Sequence, residues 1–164
     1  MRRDADAAAP SIDILIESAL WKEEPEHQAI LRQAIAAAAR EASSKPAELA
    51  IVLTDDSAIR ALNRKWRGRD EPTNVLSFPA GAAGTATGQA AHLGDIVIAY
   101  ETSAREASCE GRLFAHHLAH LAVHGYLHLL GFDHETDPEA VVMERLEAEI
   151  LSQLGVANPH CGRG

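Results

Sequence analysis

Three histidines late in the chain carry the first sign of chemistry. They stand in His124-Gly125-Tyr126-Leu127-His128-Leu129-Leu130-Gly131-Phe132-Asp133-His134. A spacing of four places His124 and His128 on one helical face, one turn apart, where both imidazoles can reach a single ion. Gly131 then ends the helix and lets the chain fold back, bringing His134 to the same point. Three neutral imidazoles and one open position describe a catalytic zinc ion, one per chain, better than a closed structural site. No cysteine stands near enough to complete the latter. The bland readings are core histidines with satisfied hydrogen bonds, or a metal that only holds the fold. With 9 histidines in 164 residues, the triple arises by chance about 0.03 times per chain, which favours ligation.

The skeleton HxxxHxxxxxH has the ligand spacing of metzincin metalloproteases. In those enzymes a Glu follows the first histidine and serves as general base. Here that position is Gly125, so a peptidase of this type lacks its proton acceptor. Phosphodiester cleavage does without it, because phosphates can accept protons and an RNA 2′-OH can itself attack. That chemistry needs cations on the non-bridging oxygens. Arg60, Arg64, Lys65, Arg67 and Arg69 crowd five of the 15 Lys and Arg residues into ten positions. Arg suits phosphate because its planar fork holds two oxygens at once. For Arg60 and Arg64 a solvated helix end is an equal alternative. Arg67 sits at a helix-to-turn junction between Trp66 and Gly68, where a role in function is favoured.

These residues need a frame. The chain is long enough for one domain with its own core. Its hydrophobic content of 46% and charged content of 24% are ordinary for a globular protein. A net charge of -9 argues against coating nucleic acid by bulk charge and leaves a local basic patch open. The two cysteines, Cys109 and Cys161, fit a reducing compartment. No apolar run is long enough to span a membrane, and the acidic start argues against export, so a cytoplasmic location without membrane contact is expected.

Residues 1–10 read as a mobile arm, 11–157 as a single domain and 158–164 as a tail. Strands are expected at Ser11 to Glu17, Leu49 to Thr54, Asn74 to Phe78 and Leu93 to Tyr100. Helices are expected after Pro25, after the Asp55-Asp56-Ser57 cap, after Thr102 or Ser103, from about Arg112 to Leu130 and from Pro138. The Gly- and Ala-rich residues 80–92 read as a flexible loop. The crossovers 17 to 49 and 54 to 74 are long enough for parallel pairing through a helix. The helix-free connection before residue 93 predicts an antiparallel pair. The fold class is α+β, mixed α/β: a small four-stranded mixed sheet covered by about five helices, one of them a metzincin-like zinc-site helix.

Three blocks together resemble the bacterial YbeY family: Leu62-Asn63 through Trp66-Arg67-Gly68-Arg69-Asp70-Glu71-Pro72-Thr73-Asn74-Val75-Leu76-Ser77-Phe78-Pro79, then Leu93 to Ile98, then His120 to His134. They follow the family's order and cover residues ~50–155; the first fifty residues match only in their strand–helix pattern. The resemblance implies a metal-dependent endoribonuclease specific for single-stranded RNA. It implies work in ribosomal RNA maturation, notably at the small-subunit RNA 3′ end, and in ribosome quality control. It assigns zinc to His124, His128 and His134 and makes Arg67 the catalytic arginine. It also implies the small ribosomal subunit as partner, with a small-subunit ribosomal protein and an assembly GTPase as further candidates. Where the family commonly has Tyr before the arginine, this chain has Trp66. Whether a water or the RNA 2′-OH attacks stays open.

Around the site, Asp133, His120 and Ser77 are candidates for supporting roles, and Arg60, Arg64, Lys65 and Arg69 for RNA contact. Core packing is the more frequent role of a residue such as His117 or His120. Asp95 has the cleft wall or a plain strand edge as equal readings. His27, His92 and His160 are expected in solvent. The competing functions are a metallopeptidase on the same three histidines and a non-catalytic ribosome-assembly factor with a structural zinc.

Overall fold

A computed structural model of the chain describes residues 10–22, 24–42, 47–80, 91–133 and 135–156. Most of the expected arm, the whole tail and most of loop 80–92 lie outside the described residues.

The described chain runs β1 (Ser11–Ile16), a 3-10 turn (Ala19–Trp21), α1 (Pro25–Ala42), β2 (Ala47–Thr54), α2 (Asp56–Arg67), β3 (Val75–Pro79), β4 (Ala91–Ala99), α3 (Tyr100–Cys109), α4 (Phe114–Leu129) and α5 (Asp137–Gln153). The four strands form one sheet in the order β1-β2-β4-β3. The expected α+β architecture is therefore what the chain adopts. β1 pairs with β2 and β2 with β4 in parallel, while β3 pairs with β4 antiparallel.

One expectation needs correction. The crossover from 54 to 74 does not place β3 in parallel beside β2; β4 takes that position and β3 is the edge. The composition explains the exchange. In β4, Ile96 and Ile98 are buried on one face and Val97 and Ala99 on the other, which suits a central strand covered on both sides. β3 ends in Pro79, which has no N–H to give a further neighbour and belongs at an edge. β4 also begins at Ala91, so the last residues of the expected loop are already strand.

The main core lies between the sheet and α1, α4 and α5. Leu31, Ile35, Ile51, Leu53, Ile96, Ile98, Leu118, Leu127, Met143 and Ile150 are its buried members. Each such side chain contributes roughly 1.5–3 kcal/mol on burial. α2 covers the opposite face through Ile59, which packs with Leu76, Val97 and Ala99. Between β1 and α1, the buried Trp21 donates its indole N–H to Thr54 O at 2.7 Å and stacks on Phe114 at 5.8 Å. His27 is not in open solvent as expected; it packs edge-on against Phe114, with ring centroids 5.1 Å apart.

α2 and α3 exchange N-terminal caps. The Asp56 N–H donates to Glu101 Oε1 at 2.7 Å, and the Thr102 N–H and hydroxyl donate to the Asp56 carboxylate at 3.1 and 2.8 Å. Each helix thus supplies the acceptor that the other's unpaired N–H groups require. Among the described residues no helix is long and apolar enough to cross a membrane.

Candidate active site

α4 carries the histidines. Its buried face includes His117, Leu121 and Gly125, and its partly buried side presents His120, His124 and His128. Gly125 is where α4 touches the sheet. A Cβ there would lie 2.9 Å from Ile96 Cγ2 and 3.1 Å from Ser77 Oγ, closer than packed atoms tolerate. Ser77 Oγ donates to Gly125 O at 3.0 Å, fastening β3 to α4. A side chain at position 125, such as the glutamate of the peptidase pattern, would have to displace Ile96 and Ser77.

The end of α4 sets the second histidine. Gly131 has φ 104, a conformation that side-chain-bearing residues rarely adopt. It allows the Phe132 N–H to reach Leu127 O at 3.0 Å and the Gly131 N–H to reach His128 O at 3.0 Å, the paired bonds of a Schellman stop. The same turn brings Phe132 O to 2.9 Å from His128 Nδ1. A carbonyl only accepts, so Nδ1 holds the proton and Nε2 carries the lone pair.

Glu147 does the same for His124, and sequence reasoning missed it. It lies on α5, 2% exposed, with Oε2 2.6 Å from His124 Nδ1 and Oε1 3.7 Å from His120 Nε2. Burial pushes its carboxyl up, but the His120 and His124 imidazoles beside it outweigh that and hold it well below the ordinary carboxylate range. The only sequence signal was a Glu in register with the apolar positions of the last helix, which by itself does not reveal a partner. With both Nδ1 protons held outward, the Nε2 atoms of His124 and His128 face each other at 3.1 Å. Two zinc ligands in a tetrahedron with bonds of about 2.05 Å stand about 3.3 Å apart. The tautomers, the outer acceptors and the spacing thus fit a shared cation. The third expected ligand, His134, lies outside the described residues. Among the described residues no three His, Cys, Asp or Glu side chains form a metal-sized group.

Arg67 and the histidines share one cleft of about 1160 Å³. Its walls are the end of α2 (Trp66, Arg67), the edge strand with its lead-in (Thr73 to Pro79), and His120, His124, His128, Asp133 and Glu147. The supporting candidates Ser77, His120 and Asp133 all line it. Asp95 instead sits near the exposed His92, at 3.9 Å.

The basic cluster divides in two. Arg60 makes a two-bond fork to Asp70, at 2.8 and 3.2 Å, and Arg69 lies 3.6 Å from Glu71. Asp70 is held below its ordinary range mainly by that hydrogen bond from Arg60. Lys65 and Arg67 have no carboxylate within ion-pair distance among the described residues, and Arg64 acts on Asp70 only through its charge. A second, partly buried network ties Asn74 of the cleft wall to α3 and α4. Asn74 Nδ2 donates to Glu106 Oε1 at 2.9 Å; the same oxygen lies 2.9 Å from His117 Nε2, and His117 Nδ1 lies 3.1 Å from Arg112. Burial lowers the His117 pKa despite Glu106.

Comparison with known proteins follows the same lines. A family model described as Endoribonuclease YbeY matches residues 15–155. A protein named Endoribonuclease YbeY from Rhodopseudomonas palustris (strain BisB18) is 55% identical over 155 residues, covering 92% of this chain and 92% of its own. Another of that name, from Bradyrhizobium diazoefficiens, is 50% identical and covers 94% of this chain and 87% of its own. The solution structure of TM1509 from Thermotoga maritima shares the fold, with a TM-score of 0.55 at 23% identity over 88% of this chain and 91% of that one.

Proposed function

The chain belongs to the endoribonuclease YbeY family, and from that premise we propose that it is a zinc-dependent endoribonuclease cutting unpaired RNA between Arg67 and the histidine pair. The observation that carries this reading is the His124–His128 pair, Nε2 to Nε2 at 3.1 Å, in the cleft that Arg67 also lines. His124, His128 and His134 would hold the ion. When bound there, zinc supplies Lewis acidity for a phosphate oxygen or a water.

The protein's own groups do the rest. Glu147 and the Phe132 carbonyl hold the Nδ1 protons of His124 and His128, so each ring keeps its Nε2 lone pair inward. Among the described residues Arg67 has no carboxylate within ion-pair distance, so its guanidinium can meet the negative charge that grows on the scissile phosphate. Ser77 keeps β3 against α4, which fixes the cleft's width. The RNA class is ribosomal RNA, with maturation of the small-subunit 3′ end and quality control of ribosomes as the setting. The small subunit, one of its proteins and an assembly GTPase are the partners. A metallopeptidase on the same histidines lacks the glutamate that its pattern places after His124; Gly125 stands there, with Ile96 and Ser77 packed against it.

The test is cleavage of a single-stranded small-subunit RNA fragment by purified protein. Wild type should cut it, chelator-treated protein should not, and zinc should restore cutting. Arg67→Glu should remain folded and lose at least 100-fold in rate. A folded Arg67→Glu protein with unchanged cleavage would take this arginine out of the mechanism. Activity that survives complete metal removal would take out zinc.

A further inference from the structure

We propose that Trp66 is a stacking platform for one unpaired nucleobase of single-stranded RNA, set beside Arg67 at the mouth of the cleft. This rests on the ribonuclease reading and adds to it the element that recognises a base. The two tryptophans of the chain are treated in opposite ways. Trp21 is 1% exposed, whereas Trp66 is 61% exposed and lines the cleft shared with Arg67, His124 and His128. An indole left in water does nothing for the core, and its position is nonetheless held. Phe78 on the edge strand approaches it edge-on, with centroids 6.4 Å apart and planes at 64°. Lys65 Nζ lies 5.1 Å from its ring centroid.

The two cations next to the ring select the occupant; the cleft's carboxylates, Asp133, Glu135, Glu144 and Glu147, come from α5 and the segment before it. Lys65 sits over the indole and Arg67 lines the cleft beside it, neither within ion-pair distance of a carboxylate among the described residues. An aromatic face beside Lys65 and Arg67 matches a nucleotide: the base lies on the ring and its phosphate meets a cation. A protein partner would have to supply both an apolar knob and several carboxylates. The arrangement also accounts for strand selection. In a duplex both faces of a base are covered by its neighbours, so only an unpaired base can exchange its stack for Trp66.

The intrinsic emission of the zinc-loaded protein is titrated with a short oligoadenylate, and with the same strand annealed to oligouridylate. Fluorescence anisotropy of labelled RNA runs in parallel. The single strand should quench Trp66 emission and the duplex should not. The buried Trp21 supplies the unquenched background that remains in Trp66→Ala. Trp66→Ala should weaken binding about 5- to 100-fold and raise KM more than it lowers kcat, at an unchanged melting temperature. Trp66→Tyr should stay within a few-fold of wild type. Bound RNA with unaltered emission, together with Trp66→Ala binding as tightly as wild type, would overturn the platform alone. If wild type binds neither strand nor duplex, the ribonuclease reading fails first and the platform falls with it.

Discussion

Replacing Gly125 with alanine should cost stability even though alanine is the better helix former. The helix gain is up to about 1 kcal/mol, while forcing a methyl against Ile96 and Ser77 costs about 1–3 kcal/mol. Chemical denaturation should show a net loss of about 1 kcal/mol, and a gain would mean that β4 yields easily there. Glu147 makes a second expectation. Glu147→Ala should weaken zinc affinity about 10- to 100-fold in a chelator competition, because His124 loses the acceptor for its Nδ1 proton. Glu147→Gln still offers an oxygen and should stay within several-fold. Equal affinity in the alanine variant would refute the positioning role. At this scale the meeting of His124 and His128 was legible because their spacing is local. Glu147 was not, because its partner lies 23 positions away and no periodicity links the two.

Helix ends decide how well those groups are held. α5 opens with a capping box: Thr136 Oγ1 accepts from the Glu139 N–H at 3.3 Å, and the Glu139 carboxylate accepts from the Thr136 N–H at 3.2 Å. Thr136→Ala should cost about 1 kcal/mol, read as a lower melting temperature. Gly131→Ala should do more than destabilise. It strains the turn at φ 104 and shifts the Phe132 carbonyl away from His128, so zinc affinity should fall along with stability. Loss of stability with zinc affinity intact would separate the turn from the metal site. Each strand and helix was readable to within a few residues from apolar period and cap residues. The strand order was less so. Crossover length permits parallel pairing without naming the partner, and β4 won the place beside β2 through burial on both faces.

The chain is acidic overall with a basic cluster at the end of α2, and salt should reveal how much of that cluster meets RNA. Arg60 and Arg69 are engaged by Asp70 and Glu71, leaving Arg64, Lys65 and Arg67. Three phosphate contacts on a single strand give a slope of log affinity against log salt of roughly −2, against about −3.5 for all five cations. Composition showed the cluster but not its division, which depends on side-chain reach. Stability should also depend on pH through His117. Burial lowers its folded pKa below 6.5, so the unfolded chain binds the proton more readily. The contribution is fully present above pH 6.5 and is lost as pH falls below that value toward the folded pKa. Melting temperature should drop across that window, and His117→Gln should flatten the drop. The traded carboxylates of Asp56 and Glu101 have a mechanical consequence on this scale. The start of the arginine-bearing helix cannot come loose without releasing the start of α3, which continues directly from the central strand β4. Amide hydrogens at both starts should therefore exchange with deuterium at matching rates, as one cooperative latch. The guanidinium and the imidazoles then keep their separation before any substrate arrives.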